Sequence, residues 1–172
     1  MMELRNIRPD EAESFWKLRL EALHKHPEAF GASYEEAVSK PLSEVEAMLE
    51  AADDRYVLGA FMEDGQLAGT VGFYREKGIK FGHKGMIWGV YVSPEYRGQG
   101  IARKLFEELL DRGKRLEGLQ QINLWVVTTN RSAVELYAKL GFETYGIEKN
   151  ALVHQGQGYD EALMCYDLRF AR

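Results

Sequence analysis

Hydrophobic residues recur at helical spacing in four stretches of the chain. After Pro9-Asp10, for example, apolar residues fall three or four positions apart, as on the buried face of a helix. Ser43 and Glu46 match the S-x-x-E capping box that opens many helices. The predicted helices extend from Asp10, as the N-cap, to Pro27, from Ser43 to about Ala52, from Ile101 to Leu116 and from Asn130 to Leu140.

Seven other segments are rich in the β-branched and aromatic residues that favour strands. Asp64-Gly65 separates the second from the third, and an Asp-Gly pair in that position is a strong hairpin signal. Gly89 interrupts the fourth, which indicates a bulge or a close approach to the backbone. The predicted strands are Glu3–Arg8, Tyr56–Glu63, Gln66–Arg75, Met86–Val92, Gln121–Thr128, Glu143–Val153 and Gly158–Phe170.

The order of these elements is strand, two helices, three strands, helix, strand, helix and two strands. This order indicates a mixed α/β (α+β) sheet covered by helices, without the strict alternation of a doubly wound fold. No repeat, low-complexity tract or linker divides the 172 residues. We therefore expect one domain over residues 1–172.

Composition excludes several classes of protein. Hydrophobic residues make up 45% and charged residues 28% of the chain, which is typical of globular rather than disordered proteins. No apolar run approaches the roughly 20 residues of a membrane-spanning helix, and the first residues form no hydrophobic targeting core. Cys165 is the only cysteine, so no internal disulfide can form. We expect a cytoplasmic protein with no membrane partner.

The formal net charge is −5, and residues 1–50 carry all of this excess, with 11 acidic and 6 basic residues. The rest of the chain holds 16 of each. An acidic chain of this kind is a poor candidate for a nucleic-acid partner. The four histidines show no metal-ligand spacing, so no metal is expected either.

The segment 93–104 joins a predicted strand to a predicted helix and carries one proline and two glycines. Glycines leave backbone N–H groups accessible, and a helix start adds unpaired N–H groups and the positive end of the helix dipole. These features suit a phosphate or pyrophosphate. The alternative is a glycine turn before a solvated basic helix. A dinucleotide fingerprint would need glycine where Arg103 stands, and no segment matches a P-loop.

Two blocks of sequence resemble the GNAT N-acetyltransferase superfamily. In residues 90–102, Arg97, Gly100 and Ala102 fill its acetyl-CoA signature after a hydrophobic strand. Residues 130–142 resemble the family's N-x-x-A-x-x-x-Y-x-x-x-G-F element. The resemblance implies a mostly antiparallel seven-stranded sheet, flanked by helices and splayed between its fourth and fifth strands. It also implies acetyl-CoA as the cosubstrate and no metal.

The resemblance implies roles for individual residues as well. Main-chain groups of Val90 and Val92 would pair with the pantetheine arm like an added strand, and Gly89 would lie at the bulge that splays the sheet. Asn130 would contact the pantetheine, and Tyr137 would face the thioester sulfur. The N–H groups that would hold the pyrophosphate belong to Arg97, Gly98, Gln99, Gly100, Ile101, Ala102 and Arg103.

Acyl transfer to an amine requires proton transfers. Tyr137 is the candidate catalytic residue, because a phenol can share a proton with a leaving thiolate; the alternative is a tyrosine that only packs. For Asn130 the alternative role is the N-cap of its helix. The predicted fourth strand holds no acid or base before Val90, which leaves the general base open. The candidates are Glu76, His83, His154, Asp160 and Glu161.

Three functions remain open from the sequence. The leading one is transfer of an acetyl group from acetyl-CoA to a primary amine, of a small molecule or peptide, by direct attack. The alternatives are a non-catalytic acyl-CoA-binding or sensing domain and, less favoured, a nucleotide-binding module. The resemblance also implies that the first two helices and their connection form one wall of the acceptor groove. Glu28, Glu35 and Glu36 would there favour a cationic acceptor, unless they only form solvated helix faces. A homodimer is expected only because such assemblies are common.

Overall fold

The computed structural model describes residues 1–170, which form one seven-stranded sheet flanked by helices. The strands are β1 (Glu3–Asn6), β2 (Arg55–Phe61), β3 (Leu67–Arg75), β4 (Lys84–Val92), β5 (Gln121–Val127), β6 (Glu143–His154) and β7 (Gln157–Asp167). Their order in the sheet is β1-β2-β3-β4-β5-β7-β6, and every neighbouring pair is antiparallel except β4 with β5. The predicted mixed, mostly antiparallel sheet is confirmed.

The α-helices of the described part of the chain are α1 (Ala12–Lys25), α2 (Tyr34–Ala37), α3 (Leu42–Met48), α4 (Ile101–Arg115) and α5 (Arg131–Leu140). Two predicted helix starts are wrong. Asp10 does not cap α1, because a 3-10 turn at Pro9–Glu11 precedes the helix and the Asp10 carboxylate pairs with Arg8. Ser43 lies inside α3, whose N-cap is Pro41, so its S-x-x-E pattern does not begin the helix.

The hairpin between β2 and β3 turns where the Asp-Gly pair predicts it. Gly65 takes a left-handed φ of +83°, which glycine adopts without steric cost. An oxygen of the Asp64 carboxylate accepts a 3.0 Å hydrogen bond from the Gln66 N–H, as Asx turns do. This tight turn fixes the register of the two strands.

The sheet splits between β4 and β5. These strands pair only over their first three residues, Lys84–Met86 against Gln121–Asn123. Beyond that point no pairing joins them, although β4 remains paired to β3 and β5 to β7. The split predicted between the fourth and fifth strands is therefore confirmed, and it leaves two backbone edges facing a wedge of open space.

A bulge on β4 lies beside the split. The pairing of β3 with β4 shifts register between Thr70 and Gly72, so Gly89 and Val90 lie opposite the single Val71. Gly89 has a φ of +63°, and its carbonyl accepts a 2.9 Å hydrogen bond from the Thr70 hydroxyl. Because a bulge bends its strand, this feature helps to turn β4 away from β5.

Helices cover the two faces of the sheet unequally. α4 and α5 pack on one face through fully buried side chains such as Leu105, Phe106 and Leu109. α1 and α3 cover the opposite face over β1 to β4, where Phe15 packs with Val45. No helix among residues 1–170 is long and apolar enough to cross a membrane.

Candidate active site

The start of α4 presents a run of free backbone donors. The N–H groups of residues 98–103 donate to no acceptor in residues 1–170, whereas those of Arg97 and Lys104 donate to carbonyls at 3.3 and 3.1 Å. Gly98 and Gly100 have left-handed φ values of +78° and +74°, and a Cβ on either would meet no atom within 4 Å. Six unpaired donors at the positive end of a helix suit the binding of an anion.

The side chain of Arg97 folds back onto the end of β4. Its Nε donates to the Val92 carbonyl at 3.1 Å, and its Nη2 lies 3.3 Å from Nε2 of His26. The guanidinium also lies over the Tyr91 ring, 5.6 Å from its centroid. Arg97 therefore joins the loop to β4 and to the end of α1.

Val92 directs its backbone groups toward the split. The next residue, Ser93, donates its N–H to the carbonyl of Ala68 in β3 at 2.9 Å. Successive residues of a strand direct their backbone groups to opposite edges. The N–H and C=O of Val92, and those of Val90 two residues earlier, therefore face β5 across the wedge. The Val92 carbonyl already accepts the bond from Arg97.

Asn130 occupies the N-cap position of α5, but its side chain caps no backbone donor. Its Oδ1 instead accepts a 3.4 Å hydrogen bond from the Ser132 hydroxyl. Asn130 is thus the N-cap residue of α5, as the alternative predicts, but without the side-chain hydrogen bond that usually accompanies that position. Asn130 lines the cavity described below, as Ser132 does.

Tyr137 lies in the core, with 6% of its surface exposed, and its ring centroid is 4.8 Å from that of Phe106. Its hydroxyl has no hydrogen-bond partner in residues 1–170 and is not sealed from solvent, since no fully buried side-chain polar atom there lacks a partner. Burial raises the pKa of Tyr137, which keeps the phenol protonated at physiological pH. The residue lines the cavity and has a proton to donate.

A cavity of about 490 Å³ opens at the split. This volume lies within the range of small-molecule sites. Its walls come from β4, β5, the starts of α4 and α5, and the turn after α1. The lining residues are His26, Glu28, Ala29, Phe30, Val90, Tyr91, Val92, Arg97, Ala102, Val127, Thr129, Asn130, Ser132, Ala133, Leu136 and Tyr137.

The structure brings Val90, Val92, Arg97, Ala102, Asn130 and Tyr137 of the predicted site residues to this cavity. The remaining predicted residues form the loop beside the cavity and the first turn of α4; they are Gly98, Gln99, Gly100, Ile101 and Arg103. None of them lines the cavity, and Ile101 lies in the core with 3% of its surface exposed. What they place next to the cavity is their unpaired backbone N–H groups.

The resemblance predicts that the first two helices and their connection form one wall of the acceptor groove, and His26, Glu28, Ala29 and Phe30 of this part of the chain line the cavity. They include residues of the 3-10 turn at Pro27–Ala29, which approaches β5 and β6 and so crosses the wedge. The residue types of this segment carry no signal of their own for such a long-range contact. Of the acidic residues expected near the acceptor, Glu28 lines the cavity, whereas Glu35 and Glu36 are exposed on α2.

Glu161 is the candidate base that lies beside the cavity. On β7 it is directly opposite Val127 of β5, a lining residue, and opposite Glu148 of β6. Residues directly opposed in antiparallel strands project from the same face. Burial, and then the charge of Glu148, raise the pKa of Glu161.

The other candidate bases lie elsewhere. Asp160 accepts a 2.9 Å hydrogen bond from the Asn150 N–H and lies 3.2 Å from Lys149, which together lower its pKa. His83 precedes β4 at the paired end of the split, where its carbonyl accepts from Gln120 at 2.8 Å. The Glu76 N–H donates to the carbonyl of Lys84, the residue after His83. His154 ends β6 at its hairpin turn with β7.

Metal-ligating side chains do not cluster in the described residues. No group of three or more His, Cys, Asp or Glu side chains is placed to hold an ion there. Burial raises the pKa of the Cys165 thiol, which disfavours a reactive thiolate.

Comparison with known proteins identifies the family of this chain. The Acetyltransferase (GNAT) family profile matches residues 12–142. Spermidine N(1)-acetyltransferase of Escherichia coli strain K12 is 30% identical over 102 residues, which are 59% of this chain and 53% of that protein. The chain thus spans about half the length of this relative.

Solved structures share the fold over nearly the whole chain. A GNAT-family acetyltransferase from Streptococcus pneumoniae has a TM-score of 0.86 at 23% identity, covering 97% of this chain and 99% of that one. A Salmonella typhimurium protein solved with its cofactor acetyl-CoA has a TM-score of 0.79 at 22% identity, covering 98% and 94%. With the family profile spanning more than half of its residues, the chain belongs to the GNAT acetyltransferase family.

Proposed function

We propose that this protein transfers an acetyl group from acetyl-CoA to a primary amine. The observation that carries the proposal is the run of six unpaired N–H groups at residues 98–103, next to a cavity lined by Tyr137. One end of this arrangement suits a pyrophosphate, and the other offers a proton donor in a split sheet. Membership of an acetyltransferase family supports the same reaction.

The residues present fit acetyl-CoA. The left-handed glycines 98 and 100 leave space beside the N–H groups, and the first turn of α4 holds no acidic residue that would repel phosphates. The backbone groups of Val90 and Val92 would pair with pantetheine amides along the open edge of β4. Asn130 adds a side-chain amide to the same cavity. Bound there, acetyl-CoA supplies an activated acetyl thioester.

Tyr137 would hold the proton needed at the sulfur. Tyr137 lines the cavity, and its hydroxyl is protonated and without a partner in residues 1–170, so it can donate a hydrogen bond to the thiolate as that charge develops. Because burial raises its pKa, the same phenol is a poor base. Another group must therefore remove a proton from the acceptor ammonium.

We assign that task to Glu161, acting directly or through water. A carboxylate with a raised pKa is a better proton acceptor than an ordinary one. Its position opposite Val127 puts it on the same face as a cavity-lining side chain. Glu28, on the turn that crosses the wedge, lines the cavity from the other side.

The proposal is tested in two steps with the purified protein. Isothermal titration should detect acetyl-CoA binding in the micromolar range, and a thiol-release assay over a panel of amines should then detect turnover. Binding without turnover by any amine would favour the non-catalytic acyl-CoA-binding function. Absence of binding would contradict both functions.

A further inference from the structure

Arg19 is a half-buried cation without a counter-ion in the described residues. It lies on α1, and no carboxylate of residues 1–170 comes within 4.0 Å of it. Its side chain also makes no hydrogen bond there. Burial lowers the pKa of Arg19 to about 10, and the guanidinium remains charged at neutral pH. Withdrawing a charge from water without pairing it is costly.

Aromatic rings hold the Arg19 guanidinium in place. It lies 5.2 Å from the centroid of the Phe30 ring and 5.6 Å from that of Trp88, within the range of cation–π contacts. Such contacts orient a guanidinium but use none of its N–H donors. The hydrogen-bonding fork of Arg19 is therefore fixed in position and available to an acceptor of hydrogen bonds.

The location links Arg19 to the acceptor side of the cavity. Its Nη1 is the atom nearest to where a Cβ would stand on Gly89, at 3.7 Å, so the guanidinium lies against the bulge beside the split. Phe30, one of its two aromatic neighbours, also lines the cavity. The guanidinium therefore shares Phe30 with the cavity and approaches the bulge at the edge of the split.

We propose that Arg19 binds a carboxylate of the acceptor, so that the amine substrate is an amino acid or a similarly compact amino carboxylate. This inference rests on the proposed acetyl transfer. Arg presents two parallel N–H donors that match the two oxygens of a carboxylate, and such pairs are strong when shielded from water. The acceptor's ammonium would then lie toward Glu28 and Glu161.

An acceptor with a carboxylate is the opposite of the cationic acceptor that the acidic residues 1–50 suggest. Several of those acids have partners inside the fold, as Glu11 has in Arg5 and Glu21 in Tyr91 and Ser93. A polycation such as spermidine, named for the Escherichia coli relative, has no carboxylate to offer Arg19. The two acceptor classes therefore give opposite results in one assay.

The assay compares matched pairs of acceptors. L-alanine, L-methionine, L-phenylalanine and L-glutamate are each tested beside the corresponding primary amide, with spermidine as the polycation. We expect the best acid to exceed its amide at least tenfold in kcat/KM. In Arg19→Gln this preference should disappear because KM for the acid rises, while kcat/KM for the amide stays unchanged. Arg19→Lys should restore part of the preference, since it keeps the charge but not the planar fork.

Lys17→Gln is the matched control, because it removes the same charge from an exposed position on the same helix. The kcat/KM of Lys17→Gln should equal that of the wild type for every acceptor. Equal use of acids and amides, a preference for spermidine, or an equal loss for acid and amide in Arg19→Gln would each overturn the proposal. The last result would mean that Arg19 only packs between its two rings.

A second measurement does not depend on turnover. N-acetyl-L-methionine and its amide are titrated calorimetrically into the protein saturated with CoA. We expect the acid to bind at least tenfold more tightly than the amide, and Arg19→Gln to abolish the difference while leaving the acetyl-CoA Kd unchanged. If no amine is acetylated but this difference is found, the carboxylate site stands and the proposed reaction fails. Equal binding of acid and amide overturns the site.

Discussion

The two sides of the split sheet are built from different parts of the chain. On the α4 side, six consecutive backbone N–H groups from one loop and the helix turn that follows it are unpaired, and open space lies beside Gly98 and Gly100. On the α1 side, the surroundings of the cavity consist of side chains from separate elements, such as Arg19 and Trp88. A backbone site tolerates any side chain that leaves its N–H groups accessible, whereas a side-chain site changes with each substitution. The first can serve many related proteins, and the second can define one acceptor.

The largest effect is expected at Tyr137, which lies where the two sides meet. Tyr137→Phe removes only the hydroxyl, which has no protein partner, so stability should change by less than about 0.5 kcal/mol. If the phenol donates to the leaving sulfur, kcat should fall roughly 10²-fold or more, with the acetyl-CoA Kd nearly unchanged.

Tyr56→Phe is the control for this prediction. Tyr56 is also a buried tyrosine, 3% exposed, and burial raises its pKa to about 12, but it lies on β2 away from the cavity. It should retain wild-type turnover. Wild-type turnover in Tyr137→Phe itself would return that residue to a packing role.

The next effect concerns the backbone side alone. Gly100→Val places a branched side chain next to the free N–H groups, at a φ of +74° that also strains valine. The acetyl-CoA Kd should rise at least tenfold, about 1.4 kcal/mol. Gly65→Val is matched to it, since Gly65 has a φ of +83° and equally open surroundings but belongs to the β2–β3 hairpin. An equal loss of affinity in both variants would point to strain rather than to the anion site.

The same contrast explains what the sequence could predict. The proposed cofactor side is local: Pro94, the two glycines and the helix that follows are adjacent in the chain, so a turn and helix start could be recognised by their residue types. The proposed acceptor side depends on β4 and α1 meeting in three dimensions. Arg19 falls on a helix face, and nothing in its neighbours along the chain indicates that Phe30 and Trp88 enclose it.

Helix boundaries show the same limit on a smaller scale. The S-x-x-E pattern at Ser43 predicted a helix start, yet Pro41 is the N-cap of α3. Proline is well suited to the first positions of a helix, and here it begins the helix before the serine can cap it. By contrast, the predicted end of the last helix at Leu140 is confirmed, because Gly141 follows it with a left-handed φ of +111°.

Glu161 gives a prediction of intermediate size on the acceptor side. Its raised pKa means that it deprotonates above the range of an ordinary glutamate, so kcat/KM should rise with pH through that point. Glu148→Gln removes the like charge opposite Glu161, so the rise of kcat/KM should move to lower pH by less than about one unit. Glu161→Gln should abolish this rise. A pH profile of kcat/KM that is identical in all three proteins would exclude Glu161 as the base.

Stability separates this role from a structural one. A carboxyl group with a raised pKa in the folded state favours the unfolded state once it ionises, so its contribution is unfavourable above that pKa. Glu161→Gln should therefore be as stable as the wild type or slightly more stable at pH 7, by urea denaturation. A clear loss of stability would mean that the carboxylate holds a structural bond, and its loss of activity would then carry no weight.

The smallest effect concerns how the acceptor side is fastened to the sheet. Glu11 precedes α1 and pairs with Arg5 of β1 at 2.7 Å, while Arg5 lies over the Phe61 ring at 3.8 Å. The hydrogen bond from Arg5 lowers the pKa of Glu11 below 4.5. The pair therefore stabilises the fold above about pH 4.5, and this contribution is lost as the pH falls through the lowered value.

Glu11→Gln should cost about 1 kcal/mol at pH 7, with the difference from wild type disappearing in acid. Glu44→Gln, which removes an exposed partner of Lys40, should cost less, and neither variant should change the acetyl-CoA Kd. Urea denaturation between about pH 3 and 7 measures the difference. A cost for Glu11→Gln that is independent of pH would show that the carboxylate charge does not hold α1 to the sheet.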